Sequence, residues 1–125
     1  MSVKIKPAVL IVSHGSRSPQ TKKEVDQFVR QLRSRRAADI VEMAFLEIAI
    51  PDIPAGIAIC ARQGAKEIVV LLNFLNSGRH VDQDIPLIVE EAKKKHPGIE
   101  FSITRPLGHH PRIVELFVDL LKKDK

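Results

Sequence analysis

Tryptophan and tyrosine are absent from this 125-residue chain, and its five phenylalanines are scattered singly through apolar patterns. Without interleaved aromatics there is no platform on which unpaired bases could stack, so nucleic acid is not an expected partner. Cys60 is the only cysteine, so no disulfide can form within the chain. That fits a reducing compartment, and we expect a cytoplasmic protein. The longest apolar stretches lie at residues 8–12 and 68–75, far short of the ~20 residues that span a bilayer. The opening segment, Met1 to Lys6, lacks the apolar core and cleavage pattern of a secretory leader. Linkers, low-complexity segments and long charge blocks are missing as well. The expectation is therefore one domain, residues 1–125, built on one hydrophobic core and without a membrane partner.

What the chain does have is positive charge. Lysine and arginine number 20 against 15 acidic residues, a formal net charge of +5, which points to an anionic partner. The clusters Lys93–Lys95 and Lys122–Lys123 end helical patterns, where they complement helix dipoles on solvated faces. With no stacking platform, a small acidic ligand fits the charge better than nucleic acid.

Four strand-like runs alternate with four helical patterns. The expected strands cover residues 8–13, 40–46, 67–75 and 99–103. Helical spacing appears as Val25, Phe28, Val29, Leu32, then as Ile53, Ile57, Cys60, Ala61 ended by Gly64. It recurs as Ile85, Ile88, Val89, Ala92 and as Ile113, Leu116, Phe117, Leu120. Pro19, Pro54, Pro86 and Pro111 stand near the four helix starts, where the missing N–H goes unneeded. Asp52 and Asp84, each heading an Asp-Ile-Pro tripeptide, are the expected N-caps of the second and third helices. Regular alternation of strand and helix predicts an α/β three-layer sandwich with a parallel sheet. Residues 8–12 and 68–72 are apolar throughout, as central strands are, whereas Glu42, Glu100 and Ser102 interrupt the other two. Two central and two edge strands give the order 2-1-3-4, a small flavodoxin-like sheet. The switch point then lies at the carboxyl ends of strands 1 and 3.

Both of those ends carry a histidine. Strand 1 runs into Ser13-His14-Gly15-Ser16-Arg17, and strand 3 continues through Leu75-Asn76-Ser77-Gly78-Arg79-His80. Strand 2 adds a carboxylate, Glu47, beside His14. A lone histidine there would be an ordinary turn residue; two histidines and a glutamate on three loops form a candidate site. Imidazole and carboxylate together suit Co²⁺, Ni²⁺, Fe²⁺ or Zn²⁺, with no thiolate at this end. Gly15 and Gly78 let backbone approach a ligand or meet a turn requirement. Cys60 reads as core and His96, before Pro97-Gly98, as a helix C-terminal residue. His109 and His110 reach the same rim, but adjacent residues point apart, so at most one has a role.

The run His14-Gly15-Ser16-Arg17, then Ala44-Phe45-Leu46-Glu47 with Pro51-Asp52-Ile53-Pro54, resembles the class II chelatases. Phe74-Leu75, Gly78-Arg79-His80-Val81, Asp84-Ile85-Pro86 and Pro106-Leu107-Gly108 extend the resemblance over the whole chain, in order. It is to the short, CbiX-type sirohydrochlorin cobaltochelatases. The resemblance implies a chelatase-like fold and insertion of a divalent metal into sirohydrochlorin, a macrocycle fringed with carboxylates, in cobalamin-type tetrapyrrole synthesis. It also implies a homodimer equivalent to one half of longer relatives, with Co²⁺, Ni²⁺ or Fe²⁺ as substrate and no tightly bound cofactor. His14 matches the family's proton acceptor and metal ligand, and His80 its second metal histidine. Glu47 and the loop Leu75, Asn76, Ser77, Gly78, Arg79, His80 match macrocycle contacts. Ile50 stands where a polar residue is expected, and the histidine-rich stretch of some members is missing, so the metal stays open.

Chemistry agrees with that role. An imidazole with a pKa near ~6.5 is largely neutral in the cytoplasm, so it can bind a metal and accept a proton. Arg17 and Arg79 are the candidate anion contacts, although a solvated first-turn arginine explains Arg17 nearly as well. Two other readings stand beside this one. A histidine phosphatase would carry arginine directly before His-Gly, where this chain has Ser13. A non-catalytic metal or tetrapyrrole carrier would need the same ligands as a chelatase, and turnover separates the two.

Overall fold

The apolar run after Pro7 forms β1 (Pro7–Ser13), buried along nearly its whole length. A computed structural model describes residues 7–122; the Met1–Lys6 segment and Lys123 lie outside the described residues. The elements that follow are α1 (Pro19–Ser34), β2 (Ile40–Phe45), α2 (Ile53–Arg62), β3 (Glu67–Leu72), α3 (Ile85–Lys95), β4 (Glu100–Ile103) and α4 (Ile113–Leu120). A π-helical turn, His80–Asp84, leads into α3, and a 3₁₀ turn, Leu107–His109, precedes α4. All four strands are parallel in the order β2-β1-β3-β4. The expected α/β sheet and its strand order are therefore present. No helix among the described residues is long and apolar enough to cross a membrane.

Each side of the sheet has its own core. On one side Ile53, Ile57 and Cys60 of α2 and Ile85, Val89 and Ala92 of α3 pack on Leu10, Val12, Ile68 and Val70. Burial there, assisted by the Glu42 carboxylate, pushes the Cys60 thiol up to about 12, so it stays protonated and inert. On the other side Val25 and Val29 of α1 pack on Ile11, Val41 and Phe45. The Lys93–Lys95 cluster ends α3 on solvent, where Lys93 and Lys94 pair with Glu90 and Glu91.

The two Asp-Ile-Pro starts differ. The Asp52 side chain accepts a hydrogen bond from the Ala55 N–H (2.9 Å) and caps α2 as expected. We predict that Asp52→Ala lowers the unfolding free energy by about 1 kcal/mol, read from urea denaturation. Asp84 does not cap α3. Its backbone is already helical and makes no side-chain cap bond, because the π turn runs straight into the helix.

The fourth helix departs further from expectation. Its spacing is that of a packed helix, yet none of its residues is buried. The connection from β4 explains this. Thr104 donates its N–H to the Val70 carbonyl and accepts the Leu72 N–H on its hydroxyl, and the Gly108 N–H donates to the Phe74 carbonyl. A Cβ on Gly108 would collide with the Leu75 carbonyl, so only glycine lets the two backbones touch. Tied down this way, the chain leaves along the rim instead of crossing the sheet.

Candidate functional site

Hydrogen bonding between β1 and β2 does not stop where the strands end. The Leu46 N–H donates to the Ser13 carbonyl (2.9 Å) and the Glu47 N–H to the His14 carbonyl (3.0 Å). These extra rungs place Glu47 beside His14. Gly15 then turns the chain at φ +111°, with its Cα against the Glu47 carbonyl where any Cβ would overlap it. Ile48 follows Glu47 at φ +74°, a conformation strained for a β-branched residue. Below the rim, buried Ser13 accepts a hydrogen bond on its hydroxyl from the Asn73 amide (2.9 Å). That bond ties the exits of β1 and β3 together.

His14 Nε2 lies 2.8 Å from Glu47 Oε2, and the rings of His14 and His80 meet edge-on with centroids 5.3 Å apart. His80 opens the π turn, and its Nδ1 lies 2.7 Å from Asp84 Oδ2. An ionised carboxylate only accepts, so the ring nitrogen facing it carries the proton. The ring proton facing Glu47 is then on His14 Nε2 and the one facing Asp84 on His80 Nδ1, leaving His14 Nδ1 and His80 Nε2 as the lone-pair nitrogens. All three of His14, Glu47 and His80 are about half exposed, at 48%, 51% and 44% of their side-chain surface. The site is open to a ligand.

The remaining candidates fall around this centre or away from it. Leu75, Asn76, Ser77, Gly78 and Arg79 are all exposed along the loop before His80. A Cβ on Gly78 would meet open space, so no packing demands glycine there. The side chains of Arg17 and Arg79 are exposed and pair with no other described side chain. Of the paired histidines, His109 reaches the loop, with Nε2 3.1 Å from the Ser77 hydroxyl, whereas His110 Nδ1 accepts the Arg112 N–H. His96 ends α3, as expected. Among the described residues no three His, Cys, Asp or Glu side chains are grouped to hold one ion. The His14–Glu47 pair and the His80–Asp84 pair stand as two adjacent units.

Asp84 and Asn73 carry no site role in the sequence reading. For Asp84 a signal existed, because His80 and Asp84 are four residues apart, the spacing that brings side chains together on a helix. The shared Asp-Ile-Pro tripeptide pointed to a cap instead. The Ser13–Asn73 contact joins residues far apart in the chain, and no local pattern marks it.

A profile of the family described as CbiX matches residues 8–124. The chain is 37% identical over 114 residues to the chloroplastic sirohydrochlorin ferrochelatase of Arabidopsis thaliana, covering 91% of this chain and 51% of that one. It is 34% identical over 117 residues to the sirohydrochlorin cobaltochelatase of Priestia megaterium, covering 93% of this chain and 38% of the relative. It thus spans about half of the first relative's length and less of the second's. Among solved structures, the sirohydrochlorin chelatase SirB of Bacillus subtilis subspecies spizizenii, in complex with cobalt, superimposes with a TM-score of 0.84 at 31% identity. That match covers 92% of this chain and 49% of SirB.

Proposed function

The chain belongs to the CbiX family, and from that premise we propose that it inserts a divalent metal, Co²⁺ first and Ni²⁺ second, into sirohydrochlorin. The observation that carries the proposal is the edge-on contact of His14 and His80, 5.3 Å between centroids, each ring backed by a carboxylate. The substrates are the macrocycle and the metal; the product is the metallated ring, destined for cobalamin-type synthesis in the cytoplasm.

Insertion exchanges two pyrrole protons for one divalent cation. His80 offers Nε2 to the incoming ion, because Asp84 fixes the proton on Nδ1 and orients the ring. With its proton on Nε2 toward Glu47, neutral His14 keeps a lone pair on Nδ1, the nitrogen it can offer to an ion or to a proton. His14 serves as acceptor for one pyrrole proton, with Glu47 as its relay to solvent, and the second proton leaves to solvent as the ion enters the ring. Two imidazoles hold an ion loosely enough to pass it on, whereas a closed four-ligand cage would keep it. Arg17 and Arg79 meet ring carboxylates, and Glu47 with Leu75 through His80 lies against the macrocycle. One rim is too shallow to enclose such a ring, so two copies facing each other complete the cleft.

The test is purified protein with sirohydrochlorin and, separately, Co²⁺, Ni²⁺ and Fe²⁺, followed by absorbance. Several turnovers above the spontaneous rate, fastest with Co²⁺, are expected. A spectral shift that stops at one equivalent would make the protein a carrier and overturn the proposal.

A positioning role for Asp84 gives a separate prediction. Asp84→Ala should raise the half-saturating metal concentration by about 10-fold or more with little change in kcat, the usual scale for losing a carboxylate behind a ligand histidine. Asp84→Asn keeps an oxygen to accept the Nδ1 proton and should recover most of the loss. Equal kinetics for Asp84→Ala and wild type would remove the role.

A further inference from the structure

Residues 46–51, between β2 and α2, turn two large apolar side chains outward next to Glu47. Ile48 and Ile50 are 59% and 74% exposed, whereas Ala49 between them packs against the core beneath α1. The loop that does this is not slack. Its base is closed by the Phe45 N–H donating to the Pro51 carbonyl (2.8 Å) and by a bridge from Phe45 to Asp52. Its tip is a three-residue turn, in which the Ala49 N–H donates to the Glu47 carbonyl (2.8 Å) around Ile48 at φ +74°. A turn of this kind is rare and strained. A β-branched residue is a costly choice at that φ, and glycine would adopt it freely.

Packing within the chain does not repay that strain. More than half of the Ile48 surface is in water, and Ile50 is more exposed still. An exposed isoleucine held at an unfavourable φ points to a contact outside the chain.

Topology says which contact. In the order β2-β1-β3 the exit of β1 puts His14 in the middle of the rim. The exits on either side carry exposed apolar residues, Ile48 and Ile50 after β2 and Leu75, 55% exposed, after β3. An ion held by His14 and His80 reaches the ring nitrogens only when the macrocycle lies over the two imidazoles, and therefore between these flanks. The carboxylates of sirohydrochlorin lie on its fringe, where Arg17 and Arg79 answer them. Its conjugated faces are apolar and are matched by apolar side chains. We infer that Ile48 and Ile50 form an apolar shelf on which the macrocycle rests beside Glu47, and that the strained turn at Ile48 holds the shelf in place. Ile50, which stands where a polar residue was expected, extends that shelf. The two isoleucines act on macrocycle affinity and leave metal capture to the histidines.

This rests on the chelatase reading above, and a titration without metal separates the two. Sirohydrochlorin alone, followed by its own absorbance as protein is added, should bind to wild type. Ile48→Gly should weaken that binding by about 10-fold or more, the scale of one apolar side chain withdrawn from a contact. The same variant should raise the urea midpoint, because glycine takes φ +74° without strain. Lost affinity with gained stability is the signature, since a purely structural role for Ile48 would lower both. Ile50→Ser, at a residue without positive φ, should weaken binding by a similar factor at an unchanged midpoint, and Ile50→Leu should restore it. In turnover both weakened variants should raise KM for sirohydrochlorin and leave the half-saturating Co²⁺ concentration near that of wild type. Folded variants that bind the macrocycle as wild type does would overturn the shelf and leave the chelatase reading standing. Variants that change the mass by light scattering at unchanged macrocycle affinity would also overturn it, assigning the isoleucines to a contact with a second copy. A wild type that does not bind sirohydrochlorin would overturn both.

Discussion

Replacing His14 with alanine is expected to lower kcat by about 10²-fold or more, the scale for losing a positioned general base. His14 is held more firmly than His80. It follows a buried strand directly, its carbonyl accepts the Glu47 N–H, and its ring meets the Glu47 carboxylate at 2.8 Å. His80 stands after an exposed loop, and its ring bonds to Asp84 on its own helical turn. His80→Ala should accordingly raise the metal concentration for half-maximal rate and leave most of kcat, because it removes binding common to ground and transition states. Neither ring fills the core, so both variants should keep the wild-type circular dichroism. Steady-state kinetics at varied Co²⁺ decide the matter. If both folded variants turn over at near wild-type rates, the rim is not the site.

The strand order was legible in β1 and β3, where unbroken apolar runs marked coverage on both sides, and in Glu42 and Ser102, which marked edges. That order brought His14 and His80 to one end of adjacent strands, and their rings do meet. The helix count was legible too, but not what each helix packs on. Spacing in Ile113, Leu116, Phe117 and Leu120 records an apolar face without naming its partner. In this chain that face stays exposed, on a connection that Thr104 and Gly108 tie to β3 and its exit loop. Asp84 shows the same limit on a smaller scale. Its tripeptide is identical to that of Asp52, yet a π turn ahead of it sends the carboxylate to His80 instead of to a free N–H. Local patterns carried periodicity and propensity; the exposure of α4 follows from the long-range bonds of Thr104 and Gly108, and the partner of Asp84 from the π turn before it.

Gly15→Ala should damage the site more broadly than removing either histidine. A Cβ at this position would enter the Glu47 carbonyl, and φ +111° is itself unfavourable for any L side chain. The backbone strain alone is worth about 1–3 kcal/mol. Relief requires the turn after β1 to move away from residues 47–49, which breaks the Glu47 N–H to His14 carbonyl bond and separates the imidazole from its carboxylate. Base and relay are then lost together. The expected kcat loss is at least that of His14→Ala, about 10²-fold, accompanied by a fall in urea midpoint that His14→Ala does not share. Gly98→Ala is the matched control, since a Cβ there meets nothing within 4 Å on the connection between α3 and β4. It should leave rate and midpoint near wild type. A Gly15→Ala protein that keeps its activity would mean that the β1 turn does not hold His14 against Glu47 during the reaction.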